Sequence, residues 1–338
     1  GAPLRQDGTV TPGFDVIKDF NIGLSELNFE DMEAEPEIAV LGNRLHYWMR
    51  ETTGANDFQY ISRLLDETAV GICRDLMRLR LNYGIRENRD YETMKKYKIL
   101  FVPSTEVMAE ADQEALVELV KSGVTVMMCG VMPRYDENFR DCQILAKHFR
   151  IKTTIDYKIT NITHKEGTFP AYTYGSIRTT DDSKVKKLVK ADEKVVAVCS
   201  TRFKGGFYLF SFDIASGGNH QKLSYIESVL SSLGAESYLY CSDPSVGVSF
   251  QMGKKRGVLI ITAPPPGELS DGFESPRKEI IVRADLRQAG FSSAKMKLTN
   301  ILEGEEAKPL KITARELRVG IPFEVEFPDG IIFLVEKR

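Results

Sequence analysis

Tyr97-Lys98-Ile99-Leu100-Phe101-Val102-Pro103 and Val124-Thr125-Val126-Met127-Met128-Cys129 are two short apolar runs, and what lies between them decides the fold. A nearly continuous apolar run of this length suits a parallel strand whose two faces are both covered. Pro103 stops the first run. From Ala109 to Ser122, Ala111, Ala115, Leu116, Leu119 and Val120 recur at helical spacing, and Asp112 and Glu114 sit near the positive end of the helix dipole. Gly123 ends that helix. Strand, helix and strand in this order predict a right-handed parallel crossover.

Working upstream, Ile38-Ala39-Val40-Leu41 reads as a further buried strand ending at Gly42. A long helix over residues 58–83 carries Ile61, Leu64, Leu65, Ala69, Ile72, Leu76 and Leu79 on one face, with Gly84 closing it and a short strand starting at Ile85. This alternation predicts an open, doubly wound, mostly parallel α/β sheet. Ligand sites in such sheets lie beyond the carboxyl ends of the strands, here Gly42 to Arg50, Pro103 to Glu106 and Gly130 to Asp136. Downstream, the alternation from Thr153 to Thr163, a polar helix near Ser183 to Lys190, and strands at Val195–Cys199 and Phe207–Phe212, turned at Lys204-Gly205-Gly206, complete the same domain. Gly217-Gly218 then precedes a helix from Asn219 to Leu233, whose stripe of Leu223, Ile226, Val229, Leu230 and Leu233 runs to a stop at Gly234.

The flanks read differently. Thr11-Pro12 opens an amphipathic helix through Phe14, Ile17, Phe20, Leu24 and Leu27, followed by an acidic connector from Glu30 to Glu37. Beyond Ala235 the helical period disappears. Short runs at Val246–Phe250, Gly257–Thr262, Glu279–Ala284, Lys295–Leu298, Phe323–Phe327 and Ile331–Val335, divided by turns such as Pro264-Pro265-Pro266-Gly267, predict a small all-β sandwich. The expected domains are therefore 1–36 (helix and linker), 37–238 (α/β) and 239–338 (β-sandwich).

The 338 residues suit such a division, and a net charge of -3 without a basic run interleaved with aromatics argues against nucleic acid as a partner. No stretch approaches the roughly 18 apolar residues of a spanning helix, so no membrane partner is expected. The five cysteines, Cys73, Cys129, Cys142, Cys199 and Cys241, show no CxxC spacing and read as reduced, mostly buried thiols. A cytoplasmic chain is expected, although a start at Gly1-Ala2-Pro3 without Met suits a piece of a longer protein whose leader, if any, lies upstream.

Cys129 is the sharpest catalytic candidate, because a thiol at the end of a central strand, just before Gly130, is where class I glutamine amidotransferases carry their nucleophile. That elbow needs glycine on both sides, in the pattern G-x-C-x-G, and Met127 and Val131 stand there. A Cys nucleophile also needs a His base, and none of His148, His164 and His220 has the amidotransferase His-x-Glu pattern. Cys129 therefore reads as a structural thiol, with a Cys-dependent amidotransferase-like or peptidase-like hydrolase as the alternative. No phosphate loop and no paired metal-ligand spacing is present, so neither a cofactor nor a metal is expected. His46-Tyr47-Trp48-Met49-Arg50 holds the only Trp and follows the first strand, where a crevice opens. Aromatic faces beside His and Arg suit a sugar ring, making His46, Tyr47, Trp48 and Arg50 candidate substrate-binding residues, with packing of Trp48 under a loop or against another subunit as the plainer reading.

The order of these parts resembles the C-terminal half of β-galactosidase-like glycoside hydrolases, families 42 and 35 and the related exo-β-glucosaminidases. Three stretches carry the resemblance: Gly1 to Gly8 followed by Phe14 to Asn21, Lys98 to Cys129 with Ala115-Leu116-Val117-Glu118-Leu119-Val120-Lys121-Ser122-Gly123 at its centre, and Gly205-Gly206-Phe207 to Asp213. The resemblance implies an amidotransferase-like domain without its triad, called the trimerisation domain in that family, lying between a catalytic TIM barrel and a small β-sandwich. It further implies a homo-oligomer, a carbohydrate substrate for the parent enzyme, and a retaining glycosidase activity seated upstream. Retaining hydrolysis needs two carboxyls about 5 Å apart, and none of the 48 acidic residues can be assigned to such a pair. No catalytic residue is therefore expected in this chain. A carbohydrate-binding role for the segment from Ser242 to Arg338 is a further alternative.

Overall fold

A computed structural model of the chain describes residues 9, 18, 21, 22 and 25 and the ranges 36–42, 68–87, 90–165, 167–179, 182–243, 246–253, 256–262, 277–325 and 330–338. By internal contacts they form two units, one within residues 36–76 and 83–236 and the other including residues 77–82 and 237–338.

The first unit follows the opening stretch. β1 (Ile38–Gly42), β2 (Tyr83–Glu87), β3 (Ile99–Ser104) and β4 (Thr125–Gly130) pair in parallel, with α1 (Tyr91–Met94) before β3 and α2 (Glu110–Ser122) between β3 and β4. Every residue of β3 is buried, as the uninterrupted apolar run requires. α2 starts without a capping side chain of its own, but the carboxylate of Glu137 accepts from the Glu110 N–H at 3.2 Å. It ends at Gly123, whose φ of 120° few residues with a side chain adopt. Leu116, Val117, Leu119 and Val120 then pack with Leu100, Val102, Val126 and Met128 on one face of the sheet.

α3 (Ile144–Phe149) adds to that layer, and Phe149 stacks on Phe207 with centroids 3.9 Å apart. β5 (Ile151–His164) and β6 (Gly167–Thr179) form a two-stranded ribbon of their own, joined to the segment after β9 by an isolated bridge between Thr173 and Phe212, so the alternation from Thr153 does not make a strand of the main sheet. β7 (Val185–Ala191), β8 (Lys194–Ser200) and β9 (Phe207–Phe210) complete the sheet in the order β2-β1-β3-β4-β9-β8-β7, with β9 parallel to β4 and β8 and β7 antiparallel. α4 (His220–Ser232) is capped by the Asn219 side chain, which accepts from the Lys222 N–H at 2.9 Å. Phe169, Phe210, Phe212 and Tyr225 form an aromatic cluster with centroid spacings from 5.8 to 6.4 Å.

Two expectations fail. Ser183 to Lys190 is not a polar helix: β7 occupies it, because pairing with β8 and burial of Val189 and Ala191 outweigh the helical preference of its lysines. The helix expected over 58–83 is helical at 68–78 among its described residues, and Gly84 lies inside β2 rather than closing the helix.

In the second unit, β10 (Leu239–Cys241), β13 (Lys278–Ala284) and β16 (Ile321–Val325) make one antiparallel sheet. β11 (Gly247–Met252), β12 (Arg256–Thr262), β14 (Lys295–Asn300), β15 (Leu310–Thr313) and β17 (Gly330–Lys337) make another, in the order β11-β12-β17-β14-β15. Phe250, Leu259 and Leu298 of the larger sheet share one apolar core with Ile280 and Val282 of the smaller. The sequence pattern does not announce β10, β15 or α5 (Ala314–Val319), the last opened by a capping box between Thr313 and Glu316. Among the described residues, no helix is long and apolar enough to cross a membrane.

Among the described glycines of the first unit, Gly205 leaves the least room for a side chain. Its N–H donates to Val120 O at 2.8 Å, and a Cβ there would stand 2.1 Å from Val124 O and 2.8 Å from Val120 O. Gly205→Ala forces the turn before β9 away from α2, and we expect a loss of about 2 kcal/mol, read from the denaturant midpoint.

Candidate functional site

From β1 the chain steps outward to β2 and then returns to β3 on the other side of β1. The strand order therefore reverses between β1 and β3, and ligand sites of open α/β sheets lie at such a reversal, here beyond Gly42 and Ser104. The expected segments Pro103 to Glu106 and Gly130 to Asp136 do meet here. Ser104 Oγ donates to Val131 O at 2.8 Å, the N–H groups of Arg134 and Tyr135 donate to Glu106 O at 2.7 and 3.0 Å, and Val107 bridges Tyr135 in parallel. Asp136 Oδ1 accepts from the Asn138 and Arg140 N–H groups, both at 2.8 Å. Glu106 lies 3.6 Å from Arg134, yet partial burial holds its carboxyl above the usual range despite that cation. Much of the polar capacity of these loops is taken up in holding one loop to the other. His46, Tyr47, Trp48 and Arg50 lie outside the described residues.

Cys129 sits between Pro103 and Phe210 in the sheet register and has no exposed surface. Its Sγ has a weak contact of 3.7 Å with Met127 O, and burial alone pushes the thiol far up. The left-handed turn falls on Gly130 (φ 136°) and not on the cysteine, so the sulfur is not presented in the manner of a nucleophile elbow. Of the described histidines, His148 lies against Phe203, His164 meets Tyr225 edge-on and His220 is exposed at the start of α4. A thiol held neutral and away from solvent is a packing group at neutral pH.

A second polar cluster lies beyond the carboxyl end of β9. Lys222 Nζ is 3.0 Å from Asp213 Oδ2, with 4% and 34% of the two side chains exposed. Asp213 Oδ1 accepts from the Tyr172 N–H at 2.8 Å, and the Asp213 N–H donates to Tyr172 O at 2.9 Å, tying β6 to the segment after β9. Asp75, in the helix over residues 68–78, accepts from the Ser216 N–H at 2.6 Å and from the Ser216 hydroxyl. Burial raises the Asp213 carboxyl and lowers the Lys222 ammonium, each against the pull of its partner. Four elements are pinned here by charge-assisted hydrogen bonds. Sequence reasoning missed this cluster, and its one legible sign is Lys222, four residues before Ile226 on the apolar stripe of α4. Among the described residues no group of His, Cys, Asp and Glu is arranged to hold a metal ion.

Residues 59–188 match the family model described as the GLMA-like second domain. A β-1,2-glucosyltransferase of Ignavibacterium album is 28% identical over 144 residues, 40% of this chain and 19% of that protein. An exo-β-D-glucosaminidase of Thermococcus kodakarensis is 27% identical over 146 residues, 40% of this chain and 18% of that protein. Among solved structures, a catalytic mutant of a GH42 β-galactosidase from G. stearothermophilus superposes with a TM-score of 0.68 at 14% identity, covering 100% of this chain and 46% of that one. A β-galactosidase from Bacillus circulans sp. alkalophilus gives 0.65 at 14% identity, covering 100% and 47%. The chain thus spans under half the length of these β-galactosidases, and its match covers under a fifth of the two relatives in sequence.

Two outcomes test the cluster and the thiol. Lys222→Met leaves Asp213 half-buried without its cation and should cost about 3 kcal/mol in urea unfolding, while the double change with Asp213→Leu recovers most of the loss. Under native alkylation with iodoacetamide at neutral pH, Cys129 should stay unlabelled by mass spectrometry until denaturant is added, whereas the partly exposed Cys73 reacts first. By fold along its whole length this chain is similar to solved β-galactosidases, and over residues 59–188 its sequence matches the GLMA-like second domain.

Proposed function

We propose that this chain is a non-catalytic C-terminal region of a β-galactosidase-like glycoside hydrolase acting in carbohydrate breakdown. A catalytic barrel precedes it, and residues 1–36, most of which lie outside the described residues, are the segment that leaves that barrel. Residues 37–238 are an amidotransferase-like scaffold that supports subunit association, and residues 239–338 a closing β-sandwich. The observation that carries this reading is the fold likeness to GH42 β-galactosidases, which takes in 100% of this chain and 46% of the longer one. Two further observations support it. The central strand β4 of the order β2-β1-β3-β4-β9-β8-β7 carries a thiol one residue before its end, and burial holds that thiol in its unreactive form.

The segment after Gly42 supplies the rim of the sugar site. His46, Tyr47, Trp48 and Arg50 follow β1 at the switch point, where an aromatic face covers the apolar side of a pyranose and His and Arg reach its hydroxyls. The likeness in sequence is to a glucosyltransferase and a glucosaminidase, which favours a β-linked gluco-configured sugar for the parent enzyme over a galactoside.

The isolated chain should release no product from β-galactoside or β-glucosaminide substrates above the uncatalysed rate, and turnover at an enzyme-like rate would overturn the non-catalytic reading. In the parent enzyme, Trp48→Ala should raise KM about tenfold with kcat nearly unchanged, because a rim residue contributes binding shared by ground and transition states. An unchanged KM would remove Trp48 from the sugar site.

A further inference from the structure

In the smaller sheet of the second unit, side chains alternate between the core and water, as an antiparallel sheet over a single core requires. Ile280, Val282 and Ala284 of β13 join the core, so Glu279, Ile281 and Arg283 point outward, and all three are exposed. The outward residues of the neighbouring strands, Tyr240 of β10 and Pro322 and Glu324 of β16, are exposed as well. Tyr240 stands opposite Arg283, whose guanidinium carbon lies 5.0 Å from the centroid of its ring, and Ile281 stands opposite Pro322. Tyr240 and Ile281 keep 47% and 42% of their surface in water, which makes an aromatic and apolar strip on a face where polar side chains are the rule. Next along the strands Glu279 stands directly opposite Glu324, a placement in which the two like charges repel. Among the described residues, no cation and no hydrogen-bond donor holds either carboxylate.

We propose that this sheet face binds a β-linked oligosaccharide bearing free amino groups, with pyranose rings over Tyr240, Ile281 and Pro322 and an ammonium between Glu279 and Glu324. The proposal rests on the reading of the parent protein as one that acts on carbohydrate, and it adds a sugar-binding surface within the β-sandwich. Each part of such a ligand has its counterpart here. The apolar side of a pyranose covers an exposed tyrosine ring, and the arginine stacked on that ring already fixes it, so little side-chain freedom is lost on binding. An ammonium between the opposed carboxylates turns their mutual repulsion into two charge-assisted hydrogen bonds, which favours an amine over a neutral group at the same place on the sugar. From Arg283 to Glu279 the strand advances about 13 Å, so the ring platform and the acid pair are spanned by a short oligosaccharide and not by one sugar. A neutral glucan has the rings without the charge, and a simple polyamine has the charge without the rings.

Isothermal titration of the full chain at low ionic strength tests this, with a β-linked glucosamine tetramer, its N-acetylated form and a lysine tetramer as the probes. The glucosamine tetramer should bind saturably and about tenfold more tightly than either of the others. Glu279→Gln combined with Glu324→Gln should erase its advantage over the N-acetylated form, and should not lower Tm, because the change removes a repulsion on an exposed face. Tyr240→Ala should weaken both sugar tetramers about tenfold at unchanged circular dichroism, while the lysine tetramer is unaffected. Equal affinity for the amino and N-acetylated sugars, or a double glutamine variant that binds as the unaltered chain does, overturns the acid pair as the recognising group and the proposal with it. So does a lysine tetramer that binds as well as the sugar, or a Tyr240→Ala chain that binds it unchanged, since attraction by charge alone then accounts for the binding. Absence of binding also overturns this surface, yet it leaves the non-catalytic C-terminal reading in place, which fails only on turnover by the isolated chain.

Discussion

β3 has a parallel neighbour on each side and no exposed side chain, so its backbone is satisfied laterally and its two faces must be covered by apolar layers. α2 and α3 supply one layer, and Ala39, Leu100, Val126 and Leu209 of four adjacent strands meet them there. Phe210 and Tyr225 belong to the aromatic packing described above. With strand faces committed to the core, polar work falls to the strand ends. Both polar clusters described above sit at such ends, one beyond β3 and β4 and the other beyond β9.

The fate of Cys129 follows from the same constraint. In register with Pro103 and Phe210 it is a core position, and the surroundings that make it a good packing group deny the thiolate both solvent and a compensating charge. In the charged pair of Asp213 and Lys222 the second carboxylate oxygen accepts from the Tyr172 N–H, so the buried acid is met on both of its oxygens.

Much of the fold was legible where periodicity is strong. Ile99 to Val102, the stripe of α2 and the run to Cys129 each state one element without competition, and Leu223 to Leu233 does the same for α4. Legibility failed where neighbours decide. Ser183 to Lys190 looks helical because lysines dominate it, and its strand character comes from β8, a partner that local composition does not reveal. The alternation from Thr153 correctly announces a strand but says nothing about which strand it pairs with, and β6 rather than the main sheet is the answer. Of the candidate site, both the place of Cys129 at a strand end and its character as a buried structural thiol were readable. Asp75 and Ser216, far apart in sequence, could not have been joined by spacing, and Lys222 on an apolar stripe was the single local hint.

The sheet is parallel from β2 to β9 and antiparallel from β9 to β7, and β9 belongs to both halves. The antiparallel half closes over short turns, whereas β4 meets β9 only after the α3 helix, the whole ribbon and two further strands have been made. Contacts between near neighbours in the chain form sooner than distant ones. The meander of β7, β8 and β9 is therefore suited to assemble as a local seed, and docking of β9 against β4 becomes the late step that converts two partial structures into one sheet.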